Sequence, residues 1–362
     1  MSVKNLLIVF FLRAIRSLTP KKQQETKAHP HYLIVSTTAL GDTLWATPAL
    51  KALRASEPKA SISVLTSPIG KEVFSGTPYV DEVLVLQKPH LFSLIKIYIH
   101  LRKKTIDTVF IFHTSQRAVL PFCYLLKPKE IIGTAGINKG LDTLLTKALE
   151  PKYEHEIERR LRIVSENSSS QKPQLELFLS SEDRENASSF LKKHNLPTDS
   201  LLIGLHPGAK DKFKQWPPEC FIELGSRFKK SMQCSIIVTG GPSEKELTEQ
   251  IASGIPDAIA LTESVPLKTL AGLIERCGIF ITNDTGPMHV AFAVNTPTVA
   301  LFTATDSNLC GPYHAKNVHV IQKQKTCTPC LRKKCMLPFC MLQISPKEVE
   351  AKAHQLLKGS KS

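Results

Sequence analysis

Residues 278–302 read GIFITNDTGPMHVAFAVNTPTVALF. An apolar run breaks into Asn283-Asp284-Thr285-Gly286-Pro287 and then turns apolar again. Asp284 or Thr285 can cap a helix, Gly286 lets the backbone approach a ligand, and Pro287 suits a first helical turn. His289 then falls on that turn. The stretch is either a plain loop or a strand–turn–helix–strand unit whose helix N-terminus can seat an anion.

The flanking sequence favours the second arrangement. Short β-rich runs at 32–36, 61–66, 83–86, 108–112 and 131–134 alternate with helical patterns at 43–56, 68–75, 90–103 and 115–125. The pattern then repeats. Strand-like runs at 201–206, 235–239, 258–261, 278–282 and 298–302 are separated by helical patterns at 217–230, 243–253, 267–276 and 287–294. Their hydrophobicity is continuous rather than alternating, as in parallel strands covered on both faces. The expected fold class is α/β, with two Rossmann-like doubly wound domains facing across a cleft. Ligands of such sheets bind beyond the carboxyl ends of the strands.

The polar run SENSSSQKP (165–173) reads as a linker. A helix at 181–195 follows, capped by Ser180 or Ser181, and a last one at 345–359 has Ser345 as its cap and Pro346 at its first position. The expected division is 1–29, a basic apolar segment; 30–172, the first Rossmann-like domain; 173–344, the second; and 345–362, a terminal helix free to cross back to the first domain.

The 362 residues are 42% hydrophobic and 22% charged, which fits a soluble protein with real cores. The net charge of +15 favours anionic partners. The basic residues lack the aromatic interleaving of RNA binders, so acidic lipid and nucleotide rank above nucleic acid, and no nucleic-acid partner is expected. A surface with excess lysine is the plainer alternative.

In MSVKNLLIVFFLRAIRSLTPKK, the unbroken apolar run Leu6–Leu12 is too short to span a bilayer, and no small-residue cleavage site follows. A helix here would gather Leu7, Phe10, Phe11, Ile15 and Leu18 on one face, with Lys4, Arg13 and Arg16 able to meet acidic head groups. It lies on the membrane surface, packs on the protein's own body, or is a frayed tail.

Of nine cysteines, Cys123, Cys220, Cys234, Cys277 and Cys310 stand singly and read as reduced thiols, which argues for a reducing compartment. Cys327, Cys330, Cys335 and Cys340 crowd into CTPCLRKKCMLPFC. Their spacing suits structural zinc as well as it suits reduced thiols or an occasional disulfide.

Four segments in order, TALGDTLWATPALKAL (38–53), HPGAKDKFKQWPPECF (206–221), TGGPSEKE (239–246) and NDTGPMHVAFAVNTPTVALF (283–302), resemble the ADP-heptose:lipopolysaccharide heptosyltransferases, glycosyltransferase family 9. The resemblance covers roughly residues 30–357. It implies a GT-B fold, an ADP-sugar donor held mainly by the second domain and an anionic lipopolysaccharide precursor held mainly by the first. It also implies inversion at the anomeric carbon with no metal or other cofactor required. The implied setting is the cytoplasm, peripheral on the cytoplasmic face of the inner membrane.

The same resemblance assigns roles. Asp42, after Gly41, matches the proposed base that takes the acceptor hydroxyl's proton; the other role open to it is the N-cap of helix 43–56. Lys214, two residues before Trp216-Pro217, matches a lysine that meets charge on the departing diphosphate. Lys210 and Lys212 read as solvated loop charges and Trp216 as a packing anchor. Gly41, Thr239, Gly240, Glu244, Asp284, Thr285, Gly286 and His289 are the expected donor-binding residues, with Glu244 on the ribose, where Glu246 competes with it, and Asp284 on the sugar hydroxyls; His289 reads equally as a structural histidine. His155 and Arg159 either reach an anionic acceptor or are surface charges. Thr303-Ala304 replaces the family's usual Gly-Pro. The implied function is heptose transfer from ADP-L-glycero-D-manno-heptose to Kdo-lipid A or a heptosyl acceptor. The alternatives are transfer with another sugar nucleotide or surface glycan, a GT-B epimerase, or a catalytically silent nucleotide-sugar-binding protein.

Overall fold

The computed structural model describes residues 3–18, 29–165, 174–196, 200–331, 334–335 and 339–359. The chain divides into two compact units, Met1–Lys172 and Pro173–Ser362. The expected linker lies outside the described residues except for Ser165.

The first unit opens with helix α1 (Val3–Leu18). Then follow β1 (His31–Ser36), α2 (Leu40–Leu44), α3 (Thr47–Ser56), β2 (Ser61–Thr66), α4 (Pro68–Phe74), β3 (Glu82–Val85) and α5 (His90–Leu101). After these come β4 (Thr108–His113), α6 (Val119–Leu125), β5 (Glu130–Thr134), β6 (Lys147–Leu149) and α7 (Glu156–Val164). The strands form one parallel sheet in the order β3-β2-β1-β4-β5-β6. The central strand β1 buries Leu33, Ile34 and Val35 completely, which its unbroken apolar sequence requires of a strand covered on both faces. The helix expected at 43–56 is broken in two. Trp45 closes α2, and Pro48, lacking an N–H, sits in the first turn of α3 where no donor is needed.

The second unit contains α8 (Ser181–Lys193), β7 (Leu201–His206), α9 (Pro218–Ser231), β8 (Cys234–Thr239), α10 (Lys245–Ser253), β9 (Ala258–Leu261) and α11 (Leu267–Glu275). It continues with β10 (Ile279–Asn283), α12 (Gly286–Ala293), β11 (Thr298–Phe302), α13 (Ser307–Cys310), β12 (Val318–Gln322), α14 (Phe339–Leu342) and α15 (Pro346–Gly359). Its parallel sheet runs β12-β11-β10-β7-β8-β9, the strand order of the first sheet repeated. Residues 278–302 are therefore strand, turn, helix and strand. Ser180 caps α8 in a reciprocal box with Asp183. Ser345 accepts from the Glu348 N–H at 3.2 Å at the start of α15. α15 packs on its own unit: Val349 and Ala353 join the core under β7–β11, and Arg227 of α9 donates to Glu350 at 2.8 Å.

α1 forms as expected, but it buries Asn5, Val9 and Leu12, while Leu7, Phe10, Phe11, Ile15 and Leu18 stay exposed. No helix among the described residues is long and apolar enough to cross a membrane.

Candidate active site

In the second unit a cavity of about 650 Å³ opens at the carboxyl ends of β7 and β8. His206, Thr239, Gly240, Glu244, Thr285 and Pro287 contribute to its lining. Its size suits a nucleotide. His206 ends β7, and its Nδ1 lies 3.0 Å from Thr239 Oγ1. Burial pushes the imidazole pKa down, against an opposing pull from Glu244, which favours a neutral ring. The Glu244 carboxylate accepts from the Gly241 N–H at 2.9 Å. It also fills the space that a side chain at Gly208 would occupy, which explains glycine in the HPG turn.

The turn after β10 is pinned to the loop after β7. Asn283 Nδ2 donates to the Pro207 carbonyl at 2.8 Å, and its Oδ1 accepts from the Trp216 N–H at 3.1 Å. This staple brings Lys214 to Asp284: Nζ donates to Oδ2 at 2.6 Å, and Thr305 Oγ1 donates to the same oxygen at 2.5 Å. Asp284 is 8% exposed. Thr285 is the N-cap of α12 but makes no side-chain cap bond. Thr285 and Pro287 face the cavity, so the amino end of α12 is presented to it. Lys210 and Lys212, read from sequence as loop charges, also line the cavity while remaining exposed.

His289 is buried, edge-on to Phe292 with centroids 5.8 Å apart, and is not among the cavity-lining residues. Trp216 is a packing anchor, 1% exposed, donating from Nε1 to the Ile344 carbonyl at 3.0 Å. The loop carrying Thr303-Ala304 contributes through Thr305. Sequence reading missed Asn283, Thr305 and His206, although Asn283 and His206 stand inside the quoted motifs.

In the first unit, Asp42 is the third residue of α2, whose N-cap is Ala39. The capping role is thereby excluded. The carboxylate is one-quarter exposed and lies 3.9 Å from both His113 Nδ1 and Arg160 Nη2. Arg160 is wholly buried, donates to Glu156 Oε2 at 2.5 Å, and stands 5.3 Å from the Trp45 ring centroid. Burial would raise the Glu156 pKa, yet Arg160 and Arg159 overcome it and hold the carboxyl at about 2. His113 is pushed down by burial and by both arginines, despite Asp42. Arg117, in the loop after β4, has Nε and Nη2 buried with no hydrogen-bond partner among the described residues.

His155 and Arg159 are neither surface charges nor open to a ligand. His155 caps α7, its Nδ1 accepting from the Ile157 N–H at 3.1 Å, and Arg159 donates to the Phe112 carbonyl at 3.0 Å. The structure puts Arg160, unremarked in the sequence, beside Asp42. Cys327, Cys330 and Cys340 are free thiols, Cys335 is half-buried, and no group of three or more His, Cys, Asp or Glu among the described residues is placed to hold a metal ion.

The family profile described as Glycosyltransferase family 9 (heptosyltransferase) matches residues 95–340. Lipooligosaccharide heptosyltransferase 2 of Campylobacter jejuni is 32% identical over 44% of this chain and 52% of its own length, so the match spans about half of that relative. Among solved structures, a family 9 glycosyl transferase from Veillonella parvula superposes with a TM-score of 0.78 at 23% identity, covering 91% of this chain and 97% of its own. ADP-heptose lps heptosyltransferase II of E. coli gives 0.77 at 19% identity, covering 92% and 100%. These two likenesses establish the GT-B fold.

Proposed function

The chain belongs to glycosyltransferase family 9, the heptosyltransferases, and from that premise we propose that it moves heptose from ADP-L-glycero-D-manno-heptose to the inner core of lipopolysaccharide, on Kdo-lipid A or a heptosyl acceptor. The second unit takes the donor. Glu244 meets the ribose, the amino end of α12 with Thr285 and Gly286 meets the diphosphate, and Asp284 meets the sugar while holding Lys214 in place. The first unit takes the acceptor.

The reaction is a single inverting displacement. The acceptor oxygen bonds to the anomeric carbon as the bond from that carbon to the ADP oxygen breaks. Asp42 accepts the hydroxyl proton, and ADP departs with the bonding pair. Charge growing on the diphosphate is met by Lys214, Lys210, Lys212 and the α12 N-terminus, groups already fixed before reaction. In this proposal they supply the stabilisation and the reaction needs no metal ion. Arg117 and His113, at the carboxyl end of β4 as Asp42 is at that of β1, offer cationic or polar partners to acceptor phosphate or carboxylate groups. The acceptor is a membrane lipid, so the enzyme works at the cytoplasmic surface of the inner membrane.

One observation carries the reading: the Lys214–Asp284–Thr305 constellation, whose chain neighbours Gln215 and Thr285 line a nucleotide-sized cavity. Incubating the protein with ADP-heptose and either acceptor, and following ADP release and acceptor mass, tests it. Transfer to one acceptor supports it. Turnover of a different sugar nucleotide, conversion without an acceptor, or ADP binding with no turnover of any donor overturns it.

A further inference from the structure

We propose that α1 and α5 together form a preassembled docking face for an anionic phospholipid bilayer. The proposal goes beyond the transfer reading and does not require it.

Both helices lie on the same side of the first sheet. Val9 and Leu12 of α1 and Leu94, Ile97 and Leu101 of α5 enter one core with Leu33, Val35, Val109, Ile111 and Ile131, and each helix also packs on α6. Their opposite faces are bare. Leu6, Leu7, Phe10, Phe11, Ile15 and Leu18 are exposed on α1, and Leu91, Phe92, Ile95 and Ile99 on α5. These are ten of the fifteen exposed large hydrophobic side chains among the described residues. Phe10 and Phe92 are 68% and 66% exposed, values foreign to a monomer's ordinary surface when so concentrated.

Charge decides what covers them. No Asp or Glu occurs before Glu25, nor between Glu82 and Asp107. Lys4 and Arg13 on α1, and Lys96, Arg102 and Lys103 on or beside α5, are exposed. Asp107 is neutralised by Lys129 at 2.7 Å. Glu82, which meets His100 of α5 at 2.6 Å, is likewise paired with Lys104 at 2.8 Å. Apolar side chains flanked by cations, with the neighbouring carboxylates paired, match an acyl boundary beneath anionic head groups. A second copy would set these cations against each other, and protein interfaces are depleted in lysine.

The face is built before it meets lipid. Asn5 Nδ2 donates to the Gly140 carbonyl at 3.0 Å, and the Arg16 guanidinium lies 4.3 Å from the Tyr124 ring centroid, so α1 is held on the body. Binding therefore does not have to order it.

Flotation of the full-length protein with phosphatidylethanolamine–phosphatidylglycerol vesicles, and with phosphatidylcholine vesicles, tests the proposal. Binding to the first is expected to exceed binding to the second by about tenfold and to weaken as salt screens the head groups. Phe92→Glu with Ile95→Glu in α5 is expected to cut partitioning by about tenfold or more, as is Phe10→Glu with Phe11→Glu in α1. Thermal melting confirms that each variant is folded, and a Phe92→Trp variant reports insertion directly by a blue shift on vesicles. Equal binding to both lipids, an α5 double variant that floats like the parent, or an unshifted Trp spectrum on bound vesicles overturns it. A concentration-dependent dimer abolished by the same substitutions, without vesicle binding, also overturns it. Each readout is independent of whether any sugar is transferred.

Discussion

Arg160 Nη2 stands 3.9 Å from Asp42 Oδ1, and the Arg160 side chain is fully enclosed. A buried guanidinium is tolerated only when its charge is matched, and Glu156 supplies that match through Oε2. Arg160 thus places a fixed positive charge behind the proposed base without meeting solvent.

Asp42→Asn keeps the shape and removes the proposed proton acceptor. Transfer is expected to fall by about 10²–10⁴-fold, the usual worth of a general base, with ADP affinity within about twofold of the parent. Steady-state turnover beside calorimetric ADP binding reads both. Unchanged turnover removes Asp42 from the mechanism.

Arg160→Met leaves Glu156 without its main partner. A loss of about 3 kcal/mol in urea-induced unfolding is expected, and adding Glu156→Gln is expected to restore part of it. If Arg160 also positions Asp42, kcat falls more than the donor KM changes.

Against the effect of burial, Arg160 and Arg159 hold the Glu156 carboxyl at about 2 in the fold, below its ordinary 4.5. A depressed acid contributes stability that is present above its unfolded pKa and lost as pH falls through the folded one. Stability is therefore expected to decline between about pH 4.5 and about pH 2, by on the order of 3 kcal/mol from this group. Unfolding free energies measured across that range should show a shallower decline in Glu156→Gln; identical slopes would refute the assignment.

Lys214→Met removes the ammonium held by Asp284. Turnover is expected to drop about 10²-fold, with a smaller loss of ADP affinity, because in the proposed reaction the charge it meets grows as ADP departs. Thr305→Val deletes one of the two hydrogen bonds to Asp284 and is expected to cost roughly 1 kcal/mol in transition-state binding.

Arg117→Ala is expected to raise the acceptor KM by about tenfold or more while leaving the donor KM unchanged, since Arg117 belongs to the first unit, its Nε and Nη2 unpartnered among the described residues. A shift in the donor KM alone would sink the acceptor role.

The central strands were legible because both of their faces are buried, which leaves an unbroken apolar run in β1, β7 and β10. The edge strands β3 and β9 still show short apolar runs, but the edges β6 and β12 carry no such signal. β6 is only Lys147-Ala148-Leu149, and in β12 His319 interrupts the apolar residues and Gln322 ends them. Among the candidate site residues, Asp42 and Asp284 stood out in the sequence because glycine-bearing turns mark them. Arg160 could not. In EIERRLRIV its charge reads like its neighbours', and only the docking of α7 against α3, β4 and β5 buries it. His155 misled for the converse reason: a histidine at a helix start is indistinguishable in sequence from a ligand group until its Nδ1 is seen accepting from Ile157.

The strand order has a consequence for synthesis. β1 and β7 are the first strands made in their units, yet each ends at the centre of its sheet. A ribosome delivers β1, β2 and β3, and then all of α5, before β4 can close the other side of β1; β10 is delayed in the same way behind β9 and α11. Each half-sheet thus spends an interval with a naked apolar edge, when chaperone capture competes with mispairing. Codon changes that slow elongation through α5 or α11 would lengthen that exposure without altering a single residue.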